Sequence, residues 1–350
     1  MPTRRRRSEA SSRRWVIWLL FALGVVGGVL LWAWRPDLPR DVLIQHYTNA
    51  HSKFVDVGGV RAHVRDEGRP DGMPLVMIHG SLGSLQVWEG WVRELRDRLR
   101  LISVDLPGHG LTGPWPRGDY TIEAYTDFVE VLADALHLDR FAIAGQSMGG
   151  AVAWNFAATR PERVTHLILV DSSGFRDGSA TALSTKLAHL GWLSDVGIYF
   201  KPQSTVRRAL LDTYADPAMV TPERLQRYSD LQRFPGNRPA TLQRLRTLEP
   251  LDPTVLRHLA VPTLVIWGAR DRQLPVNQAY RFQSEIKGAR LATFSRLGHA
   301  PMEEDPKATA AAVAAFLPKE PPPAPRPPAA NPAPPSADQP VAPSIVPEKD

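Results

Sequence analysis

Between residues 45 and 317 the chain alternates between short continuous apolar runs and longer segments with apolar residues at helical spacing. Apolar runs of about four to eight residues are typical of strands buried on both faces of a sheet, and the longer segments are typical of amphipathic helices. The pattern therefore predicts an α/β domain with a mostly parallel, doubly wound sheet. The predicted strands are 74–80, 101–105, 141–145, 166–171, 263–268 and 289–295, and the predicted helices are 84–100, 121–136, 148–160, 276–287 and 306–317.

Two segments depart from this alternation. Residues 54–68, "FVDVGGVRAHVRDEG", read as two strands joined at Gly58-Gly59, which predicts a hairpin. Residues 175–260 lack the strand pattern and are rich in Leu, Arg and Thr. We expect this insertion to form a helical cap over the carboxyl edge of the sheet. Helical spacing within it is found at 180–193, 204–214, 222–233 and 240–247.

The N-terminal region predicts a membrane anchor. Residues 15–34, "WVIWLLFALGVVGGVLLWAW", are uncharged, and twenty residues of helix span about 30 Å, the thickness of the hydrocarbon core of a bilayer. Tryptophans lie near both ends of the run, where their rings favour the membrane interface. A cleaved signal peptide is the alternative, but its apolar run is usually shorter and a small-residue cleavage site follows it. Residues 45–60 are open to packing on either the membrane or the sheet.

Charge and composition refine this division. The net charge is +6, and residues 1–14 hold six arginines against Glu9, so the rest of the chain carries only +1. The basic tail predicts a cytoplasmic N-terminus, with the folded domain on the outer side of a cell membrane crossed once. A nucleic-acid-binding surface on the folded part is therefore not expected. The absence of cysteine excludes disulfides, thiolate nucleophiles and cysteine metal sites. Residues 318–350 contain 13 prolines, which predicts a disordered tail.

A candidate nucleophile lies where a predicted strand turns into a helix. The stretch "AIAGQSMGGAVAW" (142–154) places Ser147 in a G-x-S-x-G pattern after "FAIAG" and before an apolar helix. In this context the glycines permit a sharp turn that holds the serine out at the N-terminus of the helix. By chance the pattern occurs in roughly one chain in ten of this length, as an incidental glycine-rich turn. The flanking strand and helix favour the catalytic interpretation.

A serine hydroxyl needs a base, and the base needs an acid that orients it. Later strand-end loops supply both in the expected order, with Asp271 in "WGARDRQLP" and His299 in "RLGHAPMEEDP". Loops at the same edge of a parallel sheet lie close together. Asp171, which closes "LILVD", is the rival acid, and the order of the strands favours Asp271.

An oxyanion requires backbone N–H groups close to the nucleophile. The first is predicted to come from Met148, at the positive end of its helix. The second is predicted to come from Ser81 in the loop "HGSLGS", with Leu82 as the alternative. We expect His79 to be structural rather than a second base.

Six motifs together resemble the α/β-hydrolase fold superfamily over about residues 60–317. The resemblance implies a triad of Ser147, His299 and Asp271, an oxyanion hole from the Ser81 and Met148 amides, and no metal or organic cofactor. A serine at the nucleophile position resembles esterases, lipases, carbon–carbon bond hydrolases and perhydrolases. The motifs are "HGSLGS" (79–84), "DLPGHGLT" (105–112), "GQSMGG" (145–150), "DSSG" (171–174), "WGARD" (267–271) and "LGHAPMEEDP" (297–306).

These features predict a membrane-anchored serine hydrolase that acts through an acyl-enzyme on a small, ester-like and mainly hydrophobic substrate. Carbon–carbon hydrolysis or perhydrolysis on the same triad is one alternative. A ligand-binding protein that keeps the fold without turnover is another. Eight arginines of the cap, at positions 207, 208, 224, 227, 233, 238, 244 and 246, offer a patch for an anionic substrate. Their spacing fits ordinary solvated helix faces better.

Overall fold

The computed structural model of the chain describes residues 5–175, 185–200, 202–247 and 250–319. Within these ranges eight strands form one sheet in the order β1-β2-β4-β3-β5-β6-β7-β8. β1 and β2 form an antiparallel hairpin, β2 is also antiparallel to β4, and the other neighbours are parallel. The predicted α/β architecture is confirmed. The strands are β1 (Ser52–Val57), β2 (Val60–Gly68), β3 (Met73–Ile78), β4 (Leu99–Val104), β5 (Phe141–Gln146), β6 (Val164–Val170), β7 (Thr263–Gly268) and β8 (Arg290–Phe294).

Helices cover both faces of this sheet. The successive side chains of β3 show why, because Leu75 and Met77 point into one apolar cluster and Val76 and Ile78 into the other. Each such fully buried side chain contributes about 1.5–3 kcal/mol. The helices that pack around the sheet are α3 (Glu89–Leu95), α4 (Ile122–Ala135), α5 (Met148–Thr159), α10 (Asn277–Glu285), α11 (Pro301–Glu304) and α12 (Pro306–Phe316).

The insertion between β6 and β7 is helical, as its spacing predicts. The predicted helix at 180–193 falls partly on residues 176–184, which lie outside the described ranges, and residues 185–188 are helical. Local capping explains where one of the other helices begins, because the side chain of Thr221 accepts from the N–H of Arg224. The helices are α6 (Trp192–Gly197), α7 (Gln203–Thr213), α8 (Pro222–Gln232) and α9 (Asn237–Arg246).

The N-terminal helix α1 (Arg5–Ala33) is longer than the predicted span. Within the described residues it contains the one stretch apolar and long enough to cross a membrane, Trp15–Ala33, and none of that stretch is buried against the rest of the protein. A short helix, α2 (Arg40–Tyr47), was not predicted. Residues 45–60 do not lie apart from the sheet, since β1 pairs along its whole length with β2. The predicted disordered tail lies outside the described residues beyond 319.

The segment between α1 and α2 packs on the cap. The ring of Trp34 stacks on Tyr199 with 5.2 Å between ring centroids, and the N–H of Arg35 donates to the carbonyl of Tyr199. The guanidinium of Arg238 pairs with the carboxylate of Asp37. The apolar helix therefore ends directly beside the cap.

Candidate active site

The candidate nucleophile is held in a strained turn between β5 and α5. Ser147 has φ 53° and ψ −119°, a conformation that costs a non-glycine residue about 1–3 kcal/mol. The neighbouring glycines allow the turn, because a methyl group on Gly145 would lie 2.0 Å from the carbonyl oxygen of Gly149. A methyl group on Gly149 would lie 2.3 Å from the carbonyl oxygen of Ile78. The N–H of Ser147 donates to Val170 at 3.0 Å, which ties the turn to the next strand.

The candidate base and acid form a buried pair. The Nδ1 atom of His299 lies 2.6 Å from Oδ2 of Asp271, and Oδ1 of Asp271 accepts from the N–H groups of Gln273 and Leu274. Because the carboxylate accepts the Nδ1 proton, Nε2 of His299 keeps its lone pair. The N–H of His299 donates to the carbonyl of Thr213 in the cap at 2.7 Å. The ring is therefore oriented from both sides.

Three loops meet at Ser147. The side-chain amide of Gln146, the residue before it, donates to the carbonyl of His299 at 2.9 Å. A methyl group on Gly80 would lie 3.0 Å from Cβ of Ser147, so the loop after β3 passes directly beside the serine. The sheet reverses its strand order between β3 and β5, and the crevice at such a reversal is where ligands of α/β proteins bind. No sequence pattern indicated the role of Gln146.

The two candidate oxyanion donors lie on either side of this crevice. Met148 is the first residue of α5, so its N–H has no partner within the helix. Ser81 lies in a turn closed by a hydrogen bond from Gly83 to Gly80 at 3.1 Å. Leu82 takes φ 62° in this turn, a left-handed conformation rare for a branched side chain. The strain fixes the direction of the Ser81 backbone next to the nucleophile.

A buried polar network supports the loop after β3. Asp105 accepts from the N–H groups of Leu85 and Leu111 and from Nδ1 of His63. Burial opposes its ionised form, but the hydrogen bond and charge of His63 outweigh burial and lower the pKa of Asp105 to about 2. His79 accepts from the N–H of Leu106 at 3.0 Å. The side chains of Asp105 and His79 therefore hold neighbouring loops in place through these hydrogen bonds.

The rival acid lies against the predicted one. Asp171 is fully buried with φ 40°, and its Oδ1 accepts from the N–H of Gly268 at 3.0 Å. Burial and the charge of Asp271 raise the pKa of Asp171 well above its ordinary value. We expect it to keep its proton, which it can donate to Asp271. His299 is hydrogen-bonded to Asp271 and not to Asp171.

The same three side chains are the candidate metal ligands among the described residues. One ligand atom from each of Asp171, Asp271 and His299 lies within 4.8 Å of the others. Hydrogen bonds already occupy Nδ1 of His299 and both oxygens of Asp271. The hydrogen bond between His299 and Asp271 accounts for the closeness of these two groups without a metal.

A cavity of about 50 Å³ adjoins Met148. Its other walls come from the start of α4, the end of α9 and the segment that follows α9. A larger and more open depression of about 650 Å³ lies between His46, Tyr47 and the start of α8. It contains none of the candidate site residues, whereas Met148 lines the smaller cavity.

Known proteins share this fold and, in part, this sequence. The model of the α/β-hydrolase fold family matches residues 73–306. The chain is 32% identical over 259 residues to a pimeloyl-[acyl-carrier protein] methyl ester esterase of Nitrosomonas europaea, which covers 70% of this chain and 96% of that enzyme. It is 29% identical over 259 residues to a 2-hydroxy-6-oxo-2,4-heptadienoate hydrolase of Pseudomonas putida, with coverage of 71% and 89%.

Among solved structures, a bacterial membrane phospholipase A superimposes with a TM-score of 0.67 at 26% identity, covering 87% of this chain and 98% of that one. The two relatives and the solved membrane phospholipase A are all hydrolases. The chain therefore belongs to the α/β-hydrolase fold family.

Proposed function

We propose that the protein is a membrane-anchored serine hydrolase that cleaves ester-like, mainly hydrophobic substrates through Ser147, His299 and Asp271. The observation that carries the proposal is the 2.6 Å hydrogen bond between His299 and Asp271 beside the strained Ser147 turn. The hydrogen bond from Gln146 to the His299 carbonyl links this pair to the Ser147 turn and sets it apart from the structural pair of His63 and Asp105.

We infer the reaction from the roles proposed for these three side chains. Nε2 of His299 takes the proton of the Ser147 hydroxyl while its oxygen attacks the ester carbonyl, and Asp271 stabilises the imidazolium that forms. The N–H groups of Met148 and Ser81 hold the oxyanion. His299 then gives its proton to the leaving alcohol, and water repeats the sequence on the acyl-enzyme. These steps require no metal or organic cofactor.

The N-terminal helix supports a location at the cell membrane. Basic residues precede the apolar span, which assigns the N-terminus to the cytoplasm and the hydrolase domain to the outer side. The cap next to the anchor exposes Trp192 and Leu193, which are 72% and 53% accessible. Apolar side chains beside a membrane helix favour substrates that partition into lipid, and the similar membrane phospholipase A points the same way.

Carbon–carbon hydrolysis is the second candidate, because the Pseudomonas putida relative is a hydrolase of a 2-hydroxy-6-oxo dienoate. Both reactions use an oriented serine and an oxyanion hole, so the triad alone does not separate them. A panel of p-nitrophenyl esters and a coloured dienoate separates them directly. We expect ester turnover to exceed dienoate turnover.

The test uses the full chain in detergent and a fluorophosphonate probe that labels activated serines. We expect labelling of the wild type, and its loss in Ser147→Ala and His299→Ala. Ser173→Ala is the matched control, because this serine lies next to the turn and bonds it only through its backbone N–H. Unlabelled but folded wild-type protein would overturn the proposal in favour of a ligand-binding member of the fold.

A further inference from the structure

One cap arginine reaches the candidate site. Arg244, in α9, is 7% exposed, and its Nη2 donates to Oγ of Ser81 at 2.5 Å. Ser81 follows Gly80, where an added methyl group would lie 3.0 Å from Cβ of Ser147. The two residues are 163 positions apart in the chain, so the packing of the cap alone brings the guanidinium to this loop.

The charge of Arg244 has no partner in the described part of the chain. Three arginines there are buried, and the other two pair with carboxylates: Arg65 with Glu89, and Arg238 with Asp37. Arg244 forms no such pair, and its buried Nε has no hydrogen-bond acceptor. Burial lowers the pKa of Arg244, and no carboxylate offsets that effect.

An unpaired buried cation costs several kcal/mol, so proteins rarely keep one that nothing neutralises. Among the described groups, the close polar neighbours are the Ser81 hydroxyl, Tyr125 and His109, and none of these side chains is a carboxylate that could neutralise the guanidinium. Glu123 borders the same cavity but is exposed and lies beyond ion-pair distance of Arg244. The missing partner is therefore expected to arrive with a ligand.

The cavity that Arg244 lines indicates which ligand. It also contains Met148, Tyr120, Ile122 and Leu251, so its walls are mainly apolar around one cation. Its volume of about 50 Å³ suits one small polar group, since a single water occupies about 30 Å³. Met148 supplies one proposed oxyanion donor, and Ser81 supplies the other while contacting Arg244. The cavity thus adjoins the position of the scissile carbonyl.

We propose that Arg244 forms an anion subsite, which binds a carboxylate or phosphate of the substrate close to the scissile carbonyl. The inference rests on the proposed function, because it assigns the substrate class of that same serine site. The preferred substrate is then an ester that carries one anionic group a few atoms from the ester bond. The guanidinium suits this task, because its planar donors match the oxygens of both anions.

The experiment compares matched anionic and neutral esters on the full chain in detergent. For the carboxylate, p-nitrophenyl hemiglutarate is compared with p-nitrophenyl pentanoate. For the phosphate, dihexanoyl phosphatidic acid is compared with dihexanoylglycerol. We expect wild-type kcat/KM to favour the anionic member of one pair by at least about tenfold, and that pair identifies the anion.

In Arg244→Gln we expect the anionic-to-neutral ratio of that pair to fall about 30-fold, because truncating one partner of a buried charge pair costs at least 2 kcal/mol. Arg246→Gln is the matched control on the same helix, since Arg246 pairs with Asp195 at 2.6 Å. Its ratio should equal that of the wild type.

The failures are distinct. If the wild type cleaves neutral esters and prefers neither anionic ester, the anion-subsite inference is wrong and the serine hydrolase proposal is unaffected. This result does not depend on whether Arg244→Gln folds. If Arg244→Gln lowers kcat/KM equally for the anionic and the neutral ester, Arg244 acts on the oxyanion instead, and the anion-subsite inference is wrong. Wild type that cleaves neither member of either pair overturns the proposed serine hydrolase itself.

Discussion

The loops at the carboxyl edge of the sheet and the cap both reach the candidate site, but they contribute different kinds of group. The sheet loops carry Ser147, Asp271 and His299, and backbone hydrogen bonds tie Ser147 to Val170 and Asp271 to Gly268 within the sheet region. The cap contributes one carbonyl, at Thr213, and one charged side chain, at Arg244. In the proposed function, the sheet edge supplies the catalytic groups and the cap contributes to substrate recognition.

The two regions are joined through the loop of His299. Oε1 of Glu304 accepts from the N–H of Gly298 at 2.7 Å, and Oε2 accepts from the N–H of Ala215 in the cap at 3.0 Å. Arg227 in the cap pairs with Glu303 at 2.9 Å. Movements of the cap can therefore change the position of His299. We call these contacts of Glu303 and Glu304 the joint, and substitutions there test whether the cap affects chemistry as well as recognition.

The largest effect is expected from Asp271→Asn. The amide cannot stabilise the imidazolium and favours the wrong tautomer of His299, so kcat should fall about 10³–10⁴-fold with every substrate. Steady-state kinetics with neutral and anionic esters measure this, and far-UV circular dichroism checks the fold. A fall in kcat for only the neutral or only the anionic esters would contradict the division between sheet loops and cap, because it would give a sheet residue a role in recognition.

A smaller effect is expected from Glu304→Gln at the joint. An amide offers one acceptor oxygen where the carboxylate bonds both Gly298 and Ala215, so we expect a loss of about 2 kcal/mol in the free energy of unfolding. Displacement of the His299 loop should lower kcat about tenfold, with less change in KM.

The matched control for the joint is Glu303→Gln. The side chain of Glu303 contacts the cap through Tyr214 and Arg227 but, within the described residues, makes no hydrogen bond to the His299 loop. Its kcat should stay closer to that of the wild type. Equal losses of kcat in both variants would show that the cap, rather than this one carboxylate, positions the base.

The smallest effect is expected from Asp171→Asn. Because its pKa is raised in the folded state, the native protein binds more protons than the unfolded chain above pH 3.8, and Asp171 makes the protein less stable as pH rises. Asparagine does not titrate and keeps a donor for Asp271. Urea unfolding at pH 5 and pH 8 should therefore show Asp171→Asn gaining stability relative to the wild type at the higher pH.

The kcat of Asp171→Asn tests which of the two aspartates orients His299. We expect Asp171→Asn to keep kcat within about tenfold of the wild type, since His299 bonds Asp271. A loss as large as that of Asp271→Asn would make Asp171 the working acid and reverse the assignment.

Sequence patterns predicted the bounds of the parallel strands to within two residues and those of the helices less evenly. The cap helix predicted at 222–233 spans Pro222–Gln232, whereas the helix predicted at 84–100 is α-helical only over Glu89–Leu95. The strand predicted at 263–268 has those bounds in the structure, and the helix predicted at 148–160 spans Met148–Thr159. In the cap, the helix predicted at 240–247 begins earlier, at Asn237, after the left-handed Gly236. Continuous apolar runs specify buried strands strongly, whereas cap helices are amphipathic only where they meet neighbours that the sequence does not identify.

The sequence by itself determined the order of strands and helices, the apolar N-terminal span, the glycine-flanked Ser147 turn and the loops that carry Asp271 and His299. These follow from local rules, because hydrophobic periodicity and backbone sterics act over a few residues. Only the tertiary structure decided that His299 bonds Asp271 rather than Asp171, and that Arg244, among the described arginines of the cap, lies buried at the Ser81 loop without a carboxylate partner. Burial and charge pairing depend on contacts between residues far apart in the chain, and no local pattern records them.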